Sequence, residues 1–189
     1  MPSLITHSVV GIAAGKVFTD KKLPWRFWVL SVLCSVLPDA DVIGYYLRVP
    51  YSHFFGHRGF FHSPFFALLL SILIVSIFFR EEKLLSKSGA RYMLYFFLTG
   101  ASHGILDAFT NGGLGIALLS PFTNERYFFP WTPIQVSPLS IRAFLSEWGL
   151  RVILSELLWV CIPLFFIVIL FRKIRSGRIS QTYSEDVPD

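Results

Sequence analysis

Long apolar runs separated by polar segments follow one another along the chain, and their lengths predict membrane-spanning helices. The clearest run is 150–171 (LRVILSELLWVCIPLFFIVILF), which is long enough to cross a hydrocarbon core of about 30 Å. Comparable runs occupy 27–47, 64–79 and 92–109, and a shorter apolar helix is expected over 4–18. The pattern therefore predicts an all-α fold: a polytopic transmembrane helical bundle with about four spans and a short N-terminal helix that either spans or re-enters the membrane.

The composition agrees with a membrane protein. Hydrophobic residues make up 53% of the 189-residue chain and charged residues only 15%, whereas a soluble domain carries about 25% charged residues. The formal net charge is +5, but the basic residues flank the apolar runs and do not form a patch. This excludes nucleic acid as a partner and favours membrane lipids. We expect one integral membrane domain over 1–175, followed by a polar, disordered tail over 176–189.

Lysine and arginine residues concentrate in three segments that orient the predicted bundle. These segments are 16–26, 80–91 and 172–178, while 48–63 and 110–148 hold few basic residues. By the positive-inside rule, the three basic segments and the C-terminal tail are cytoplasmic, and the other two segments face outward. The alternation is self-consistent, because each intervening span then crosses the membrane once.

Histidine and aspartate residues gather at the outward ends of the predicted spans. These residues are His7, Asp39, Asp41, His53, His57, His62, His103 and Asp107. Ionisable side chains are costly inside a membrane and by default mark a functional site. Their convergence from separate segments favours a shared site over unrelated structural roles.

Local spacing indicates how some of these side chains meet. His103 and Asp107 lie four residues apart on one helix, so both project from the same face and can bind one ion. Asp39 and Asp41 would point apart in a regular helix, but Pro38 removes a backbone donor and is expected to bend or break the helix. A break would turn both carboxylates inward, or let one bind while the other supports it or acts as a base.

A turn at Gly59, before Pro64 opens the next helix, is expected to bring His57 and His62 together. Imidazole and carboxylate groups without nearby thiolates suit zinc and related divalent ions, with manganese or magnesium as alternatives. A metal that activates water makes hydrolysis the natural chemistry. The predicted metal ligands are His7, Asp39, His57, His62, His103 and Asp107.

Two further residues are candidates for catalysis. Asp41 would support the ligands or serve as a base, and Arg58 would hold an anionic group of the substrate. Simpler interpretations exist as well. Arg58 can snorkel to the lipid surface, and His53, in a Tyr/Phe-rich loop, can be an interfacial anchor. The pair His103 and Asp107 can form a neutralising hydrogen bond.

An ordered set of motifs resembles the YdjM-like family. The motifs are TH (6–7), LPDAD (37–41), HRGFFHS (57–63), SHGILDAFTNGG (102–113) and SPF (120–122). Members of that family are described as LexA-regulated, membrane-bound, metal-dependent hydrolases. The resemblance covers about residues 1–125 and implies a multi-span helical protein of the bacterial inner membrane. It also implies a divalent-metal site at the matching positions, which are His7, Asp39, Asp41, His57, His62, His103 and Asp107.

The leading hypothesis is a membrane-embedded, divalent-metal-dependent hydrolase that acts on a lipid or phosphoester near the outer face through metal-activated water. One alternative is a metal or proton transporter, which would need polar groups across the whole bilayer. The inner halves of the predicted spans offer mainly serine and threonine. Another alternative is a non-enzymatic membrane protein with a structural metal site, usually closed by four protein ligands. The segment 110–148 is a candidate lid over the site.

Overall fold

A computed structural model describes residues 1–19 and 22–185, with side chains described through residue 176 apart from the gap. The helices are α1 (Leu4–Phe18), α2 (Trp25–Val36), α3 (Ile43–Tyr46), α4 (Pro64–Phe78), α5 (Lys87–Ala108), α6 (Ile141–Phe144), α7 (Glu147–Glu156) and α8 (Ile162–Glu185). Extended structure in the described ranges is limited to the isolated bridges Thr110–Ile134 and Ile116–Tyr127. The predicted all-α class is confirmed.

Two stretches of the described chain are long and apolar enough to cross a membrane. They are Trp25–Tyr46, with 22 residues, and Glu147–Ser176, with 30. These stretches correspond to the predicted spans 27–47 and 150–171. The apolar helices α1 and α4 have 15 residues each, which is only about 22 Å of helix. Helix α5 has 22 residues but carries charged residues near both ends, and it does not meet the same standard of apolarity.

Pro38 divides the first of these stretches as predicted. Helix α2 ends at Val36, and a 3-10 helix spans Leu37–Val42 before α3 begins. A 3-10 helix has about 3.0 residues per turn, so side chains two residues apart differ by about 120° in direction, against about 160° in an α-helix. The tighter winding lets Asp39 and Asp41 both be buried.

A wide π-helical turn over Leu157–Cys161 joins α7 to α8 just before Pro163. Proline lacks a backbone N–H and its ring crowds the carbonyl four residues earlier, so a local widening relieves the strain. Helix α8 then continues to Glu185. The predicted tail over 176–189 begins within this helix, and its disorder stays a prediction. Residues 186–189 of the predicted tail lie outside the described residues.

Close helix contacts give the bundle two distinct ends. His103 at the end of α5 stacks on His7 at the start of α1, with ring centroids 3.9 Å apart. At the opposite end, Arg91 donates to the Phe18 carbonyl at 3.0 Å, and Arg26 pairs with Glu81. Arg175 of α8 donates to the carbonyl of Val17 at the same end. The three basic segments therefore lie together, and the histidine and aspartate residues lie at the other end.

Between the two ends lies an apolar core. Its buried residues are Phe27, Leu30, Cys34, Ile74, Val75, Phe79, Tyr95 and Phe96. Helix α1 approaches α2 closely at Gly11 and Gly15, where a Cβ atom would lie 2.7 Å from the Ser31 carbonyl oxygen and 2.6 Å from the Trp28 ring. Small residues at such contacts let two helices pack closely.

Candidate metal centre

Four donor atoms from separate elements converge at the polar end of the bundle. The Oδ1 atom of Asp39 lies 3.4 Å from Nε2 of His62 and 3.3 Å from Nε2 of His103. The Oδ2 atom of Asp107 lies 3.5 Å from Nε2 of His62 and 4.0 Å from Nε2 of His103. The 3-10 helix after α2, the segment before α4 and the last turns of α5 thus build one group that can hold a metal ion.

The facing atoms of this group are buried and have no hydrogen-bond partner. This holds for Nε2 of both histidines and for the carboxylate oxygens of Asp39 and Asp107. Buried polar atoms are costly to leave unpaired, so such a cluster calls for a ligand. Two atoms bound to one zinc ion at about 2.0–2.1 Å in a tetrahedral arrangement lie about 3.4 Å apart. The donor set and its spacing therefore fit a divalent metal.

The orientation of His103 is fixed from behind. Its Nδ1 atom lies 2.7 Å from the Ser35 carbonyl oxygen. A carbonyl oxygen only accepts, so Nδ1 carries the proton and the lone pair of a neutral ring lies on Nε2, toward the cluster. Ordering of the remote ring nitrogen by a carbonyl or carboxylate is a common feature of histidine metal ligands.

Asp41 supports the opposite side of the cluster. Its Oδ1 atom lies 2.6 Å from Nδ1 of His57, and its Oδ2 atom accepts from the backbone N–H of Arg58 at 3.1 Å. The same Oδ2 lies 3.1 Å from Nδ1 of His62. Asp41 therefore stands behind His62, while both of its oxygens are already engaged by the HRGFFHS segment.

Two of the predicted ligands stand beside the central group. His57 forms, with Asp41 and His62, a second buried group that can hold a metal, but its Nδ1 is directed at Asp41 and away from the central donors. His7 is 1% exposed, and its Nε2 lies 3.3 Å from Oδ1 of Asp107. This nitrogen also lacks a hydrogen-bond partner. His7 therefore adds one more unpaired buried atom to the cluster, next to Asp107.

Arg58 is buried against the cluster and adopts a left-handed backbone conformation, with φ of 64°. Its guanidinium donates to the Gly112 carbonyl and, at 3.1 Å, to the Thr110 hydroxyl, and its Nε lies 3.5 Å from Oδ2 of Asp107. Burial lowers the pKa of the guanidinium, and the Asp107 carboxylate raises it. The side chain therefore ties the segment after α5 to the cluster.

The turn between His57 and His62 differs from the expected glycine turn. The residue with positive φ is Arg58, whereas Gly59 has φ of −84°. Gly59 is required for another reason, since a Cβ atom there would lie 2.3 Å from the Phe54 carbonyl oxygen. The chain thus doubles back tightly and brings the His57 and His62 rings to 5.4 Å between centroids. Pro64 is then the first residue of α4, as expected, and Ser63 caps the helix.

Two residues that the sequence interpretation missed complete the frame. A Cβ atom on Gly104 would lie 2.2 Å from the His62 carbonyl oxygen, so only glycine lets α5 approach the His62 segment this closely. Glu156 of α7, 3% exposed, accepts from the Ser3 backbone N–H and, at 2.7 Å, from the hydroxyls of Ser3 and Thr6. It fixes the start of α1 and thereby His7. Its signal in the sequence is a carboxylate inside the span 150–171.

The segment that follows α5 is held against the HRGFFHS turn and the loop before it. Arg126 donates to the carbonyl oxygens of His57 and Tyr51 at 2.7 and 2.8 Å, which fastens the segment to the HRGFFHS turn. His53 is exposed, and its Nδ1 accepts from the Phe55 backbone N–H. It takes no part in the buried groups of the described chain.

A cavity of about 530 Å³ opens beside the cluster. Its walls come from the start of α1, the end of α2 with the 3-10 helix, and the segment 137–144. Most of the lining is aliphatic or aromatic, and it includes one acidic residue, Asp39. The cavity therefore brings an apolar compartment to one member of the candidate metal site.

Comparison with known proteins agrees with this architecture. Residues 1–177 match the family described as YdjM inner membrane protein. The chain is also similar to the inner membrane protein YbcI of Escherichia coli (strain K12), with 37% identity over 166 residues, covering 86% of this chain and 92% of that protein. No solved structure matches the chain. The matched range reaches past the quoted motifs and includes α7 and the apolar part of α8.

Proposed function

This chain belongs to the family of YdjM inner membrane proteins, and we propose that it is a divalent-metal-dependent hydrolase embedded in that membrane. The observation that carries the proposal is the set of buried donor atoms without hydrogen-bond partners on Asp39, His62, His103 and Asp107. An imidazole and carboxylate set of this kind suits zinc best, with manganese or magnesium as alternatives.

The chain's own residues divide into holding and positioning roles. Asp39, His62, His103 and Asp107 would hold the ion, and His7 would contact it or the free oxygen of Asp107. A divalent ion at this place supplies a Lewis acid and lowers the pKa of water for attack on an ester or phosphoester. Asp41 is better suited to orienting His62 than to taking up a proton, because His57 and the Arg58 N–H already engage its oxygens.

Our proposal for the topology is that α1, the stretch Trp25–Tyr46, α4, α5 and the stretch Glu147–Ser176 each traverse the bilayer, with the shorter helices leaving a locally thinned rim. The three basic segments would face the cytoplasm and the metal centre the outer face. The contacts between Arg91 and Phe18, and between Arg175 and Val17, support a common basic end.

The apolar core between the cluster and the basic end disfavours transport of a metal or proton through the bundle. Phe27, Tyr95 and Phe96 pack into the apolar core there. The Tyr95 hydroxyl donates to Ser31 at 2.7 Å, so the few polar groups at this depth are engaged with one another. A conducting path would need polar groups that continue to the basic end.

Metal analysis of the purified protein tests the proposal. We expect a stoichiometric divalent metal in detergent-solubilised protein, and we expect His103→Ala and Asp107→Ala to lower the metal content, because each removes one of the converging donor atoms. His53→Ala is the matched control, since this exposed histidine lies outside the cluster. Unchanged metal content in the cluster variants would refute the site.

A hydrolysis screen separates the enzyme from a structural metal protein. Four protein ligands equal the number in a closed structural zinc site, and a non-enzymatic role would give the same metal content. We expect the metal-loaded protein to cleave members of a panel of phosphoester and carboxylic ester lipids, and chelation to abolish the cleavage. A protein that loses its fold on chelation and cleaves none of the panel would favour the structural role.

A further inference from the structure

We propose that the cavity beside Asp39 is the binding site for one acyl chain of a membrane lipid, which makes a lipid ester or phosphoester the substrate class of the metal centre. The substrate class rests on the proposed function, whereas the binding of an acyl chain depends only on the cavity and its lining.

Two of the polar side chains in the cavity wall are engaged within the protein. The Ser3 hydroxyl donates to Glu156 at 2.7 Å, and the Ser140 hydroxyl accepts from the Ala143 backbone N–H at 3.2 Å. Asp39 is 6% exposed, and neither of its oxygens has a hydrogen-bond partner. The cavity therefore presents an occupant with a mostly apolar surface that reaches Asp39, whose buried carboxylate is directed at the candidate metal site.

The rim of the cavity is apolar as well. Leu4 and Ile5 of α1 are 53% and 63% exposed, and Leu139 and Ile141 on the facing segment are 56% and 81% exposed. In a membrane protein such surfaces contact lipid, so the cavity opens toward the hydrocarbon and not only toward water.

The chemistry of the lining selects a chain over a polar solute. A polar molecule entering this cavity would lose its water contacts without replacement hydrogen bonds. An acyl chain that enters from the bilayer moves from one apolar environment to another and incurs no such loss. The volume of about 530 Å³ falls within the range of small-molecule sites, about 300–1,000 Å³, and the end at Asp39 would receive the ester or phosphoester group.

Photo-crosslinking can locate the chain. The probe is a phosphatidylglycerol with a diazirine in one acyl chain, added in trace amounts to the zinc-loaded full-length protein in dodecyl maltoside micelles. After illumination and digestion, mass spectrometry maps the labelled residues. We expect labelling concentrated on the cavity walls, at Leu33 and Leu139, over Leu73 of α4, which is 54% exposed but outside the cavity.

Cavity-filling variants supply the matched test. Leu33→Trp and Leu139→Trp place an indole in the cavity from opposite walls, and we expect each to lower cavity labelling about tenfold. Leu73→Trp makes the same exchange on the outer surface of α4 and should leave cavity labelling unchanged. Uniform labelling of exposed apolar residues in the wild type would overturn the inference, whether or not the variants fold.

The outcomes distinguish this inference from the proposed function. Bound metal with no selective labelling would overturn the acyl-chain site and leave the metal centre standing. Selective labelling without bound metal would refute the metal centre and leave a lipid site. Where cleavage of long-chain lipids is found, the tryptophan variants should impair it more than cleavage of a water-soluble short-chain ester, and equal losses would contradict a chain-binding role.

Discussion

Asp41 shows how a residue can belong to the site without contributing a donor to it. Its carboxylate stands behind His62, with Oδ2 3.1 Å from Nδ1, and is itself held by His57 and the Arg58 N–H. With this carboxylate near its Nδ1, His62 turns its Nε2 toward Asp39 and Asp107. Partners of this kind tune the affinity of a metal site by orienting its ligands.

Replacing this carboxylate should weaken metal binding without abolishing it. Asp41→Asn keeps the shape but removes the charge, and we expect affinity for zinc to fall about 10–100-fold. Competition against a fluorescent chelator measures the change. Glu147→Gln is the matched acid-to-amide control, because Glu147 is 77% exposed and pairs with Arg151 on the surface. Equal affinities for the wild type and Asp41→Asn would show that Asp41 does not position His62.

At the scale of residues, the sequence predicts the candidate metal ligands better than it predicts the groups that surround and orient them. The four-residue spacing of His103 and Asp107 and the helix break at Pro38 follow from helical geometry, and both are found. The partner of His103, by contrast, is the Ser35 carbonyl, a backbone group that any residue could provide. The left-handed backbone of Arg58 could not be predicted either. Glycine is the residue most often found at positive φ, so the sequence favours the adjacent Gly59 for that conformation.

At the scale of elements, the site depends on how closely two helical segments approach. Helix α5 carries His103 and Asp107, and the 3-10 turn Phe60–His62 carries His62. They meet at Gly104, where the His62 carbonyl oxygen lies 2.2 Å from the position of a Cβ atom. The identity of one residue without a side chain therefore controls the distance between ligands from two elements.

Gly104→Ala tests this dependence. The added methyl group would overlap a backbone oxygen, so α5 or the turn must shift, and we expect a loss of about 1–3 kcal/mol in the free energy of unfolding together with reduced metal content. Thermal unfolding in detergent and metal analysis measure the two effects. Gly44→Ala is the control, since the nearest atom to its Cβ position is 3.5 Å away. A stable Gly104→Ala protein with full metal content would contradict the close approach.

Helix positions were largely predictable, but the joins between helices were not. The N-terminal helix was predicted over 4–18 and α1 occupies Leu4–Phe18, because apolar runs and caps determine where helices form. The link from Glu156 to Ser3 and Thr6 connects residues about 150 positions apart in the chain, and no local pattern specifies such a partner. The same holds for Arg126, whose carbonyl acceptors come from the HRGFFHS turn and the loop before it.

At the scale of the whole molecule, charge and chemistry are separated along the bundle axis. The basic segments meet at one end, where Arg26 pairs with Glu81 and Arg91 reaches the Phe18 carbonyl. The candidate metal centre lies at the other end, with the aromatic core between them. Because basic residues are retained on the cytoplasmic side, this polarity predicts the orientation of the entire protein: the basic end inside and the metal centre near the outer face.

Cysteine accessibility in intact cells tests that orientation. In a background with Cys34→Ala and Cys161→Ala, which removes the two free cysteines, Ser52→Cys reports on the metal end and Ser88→Cys on the basic end. Both serines are exposed, so the pair is matched in residue type and in exposure. We expect a membrane-impermeant maleimide to label Ser52→Cys in spheroplasts, and Ser88→Cys only after lysis. The reverse pattern would place the metal centre on the cytoplasmic side, whereas labelling of both before lysis would mean that the bundle does not separate its ends across the membrane.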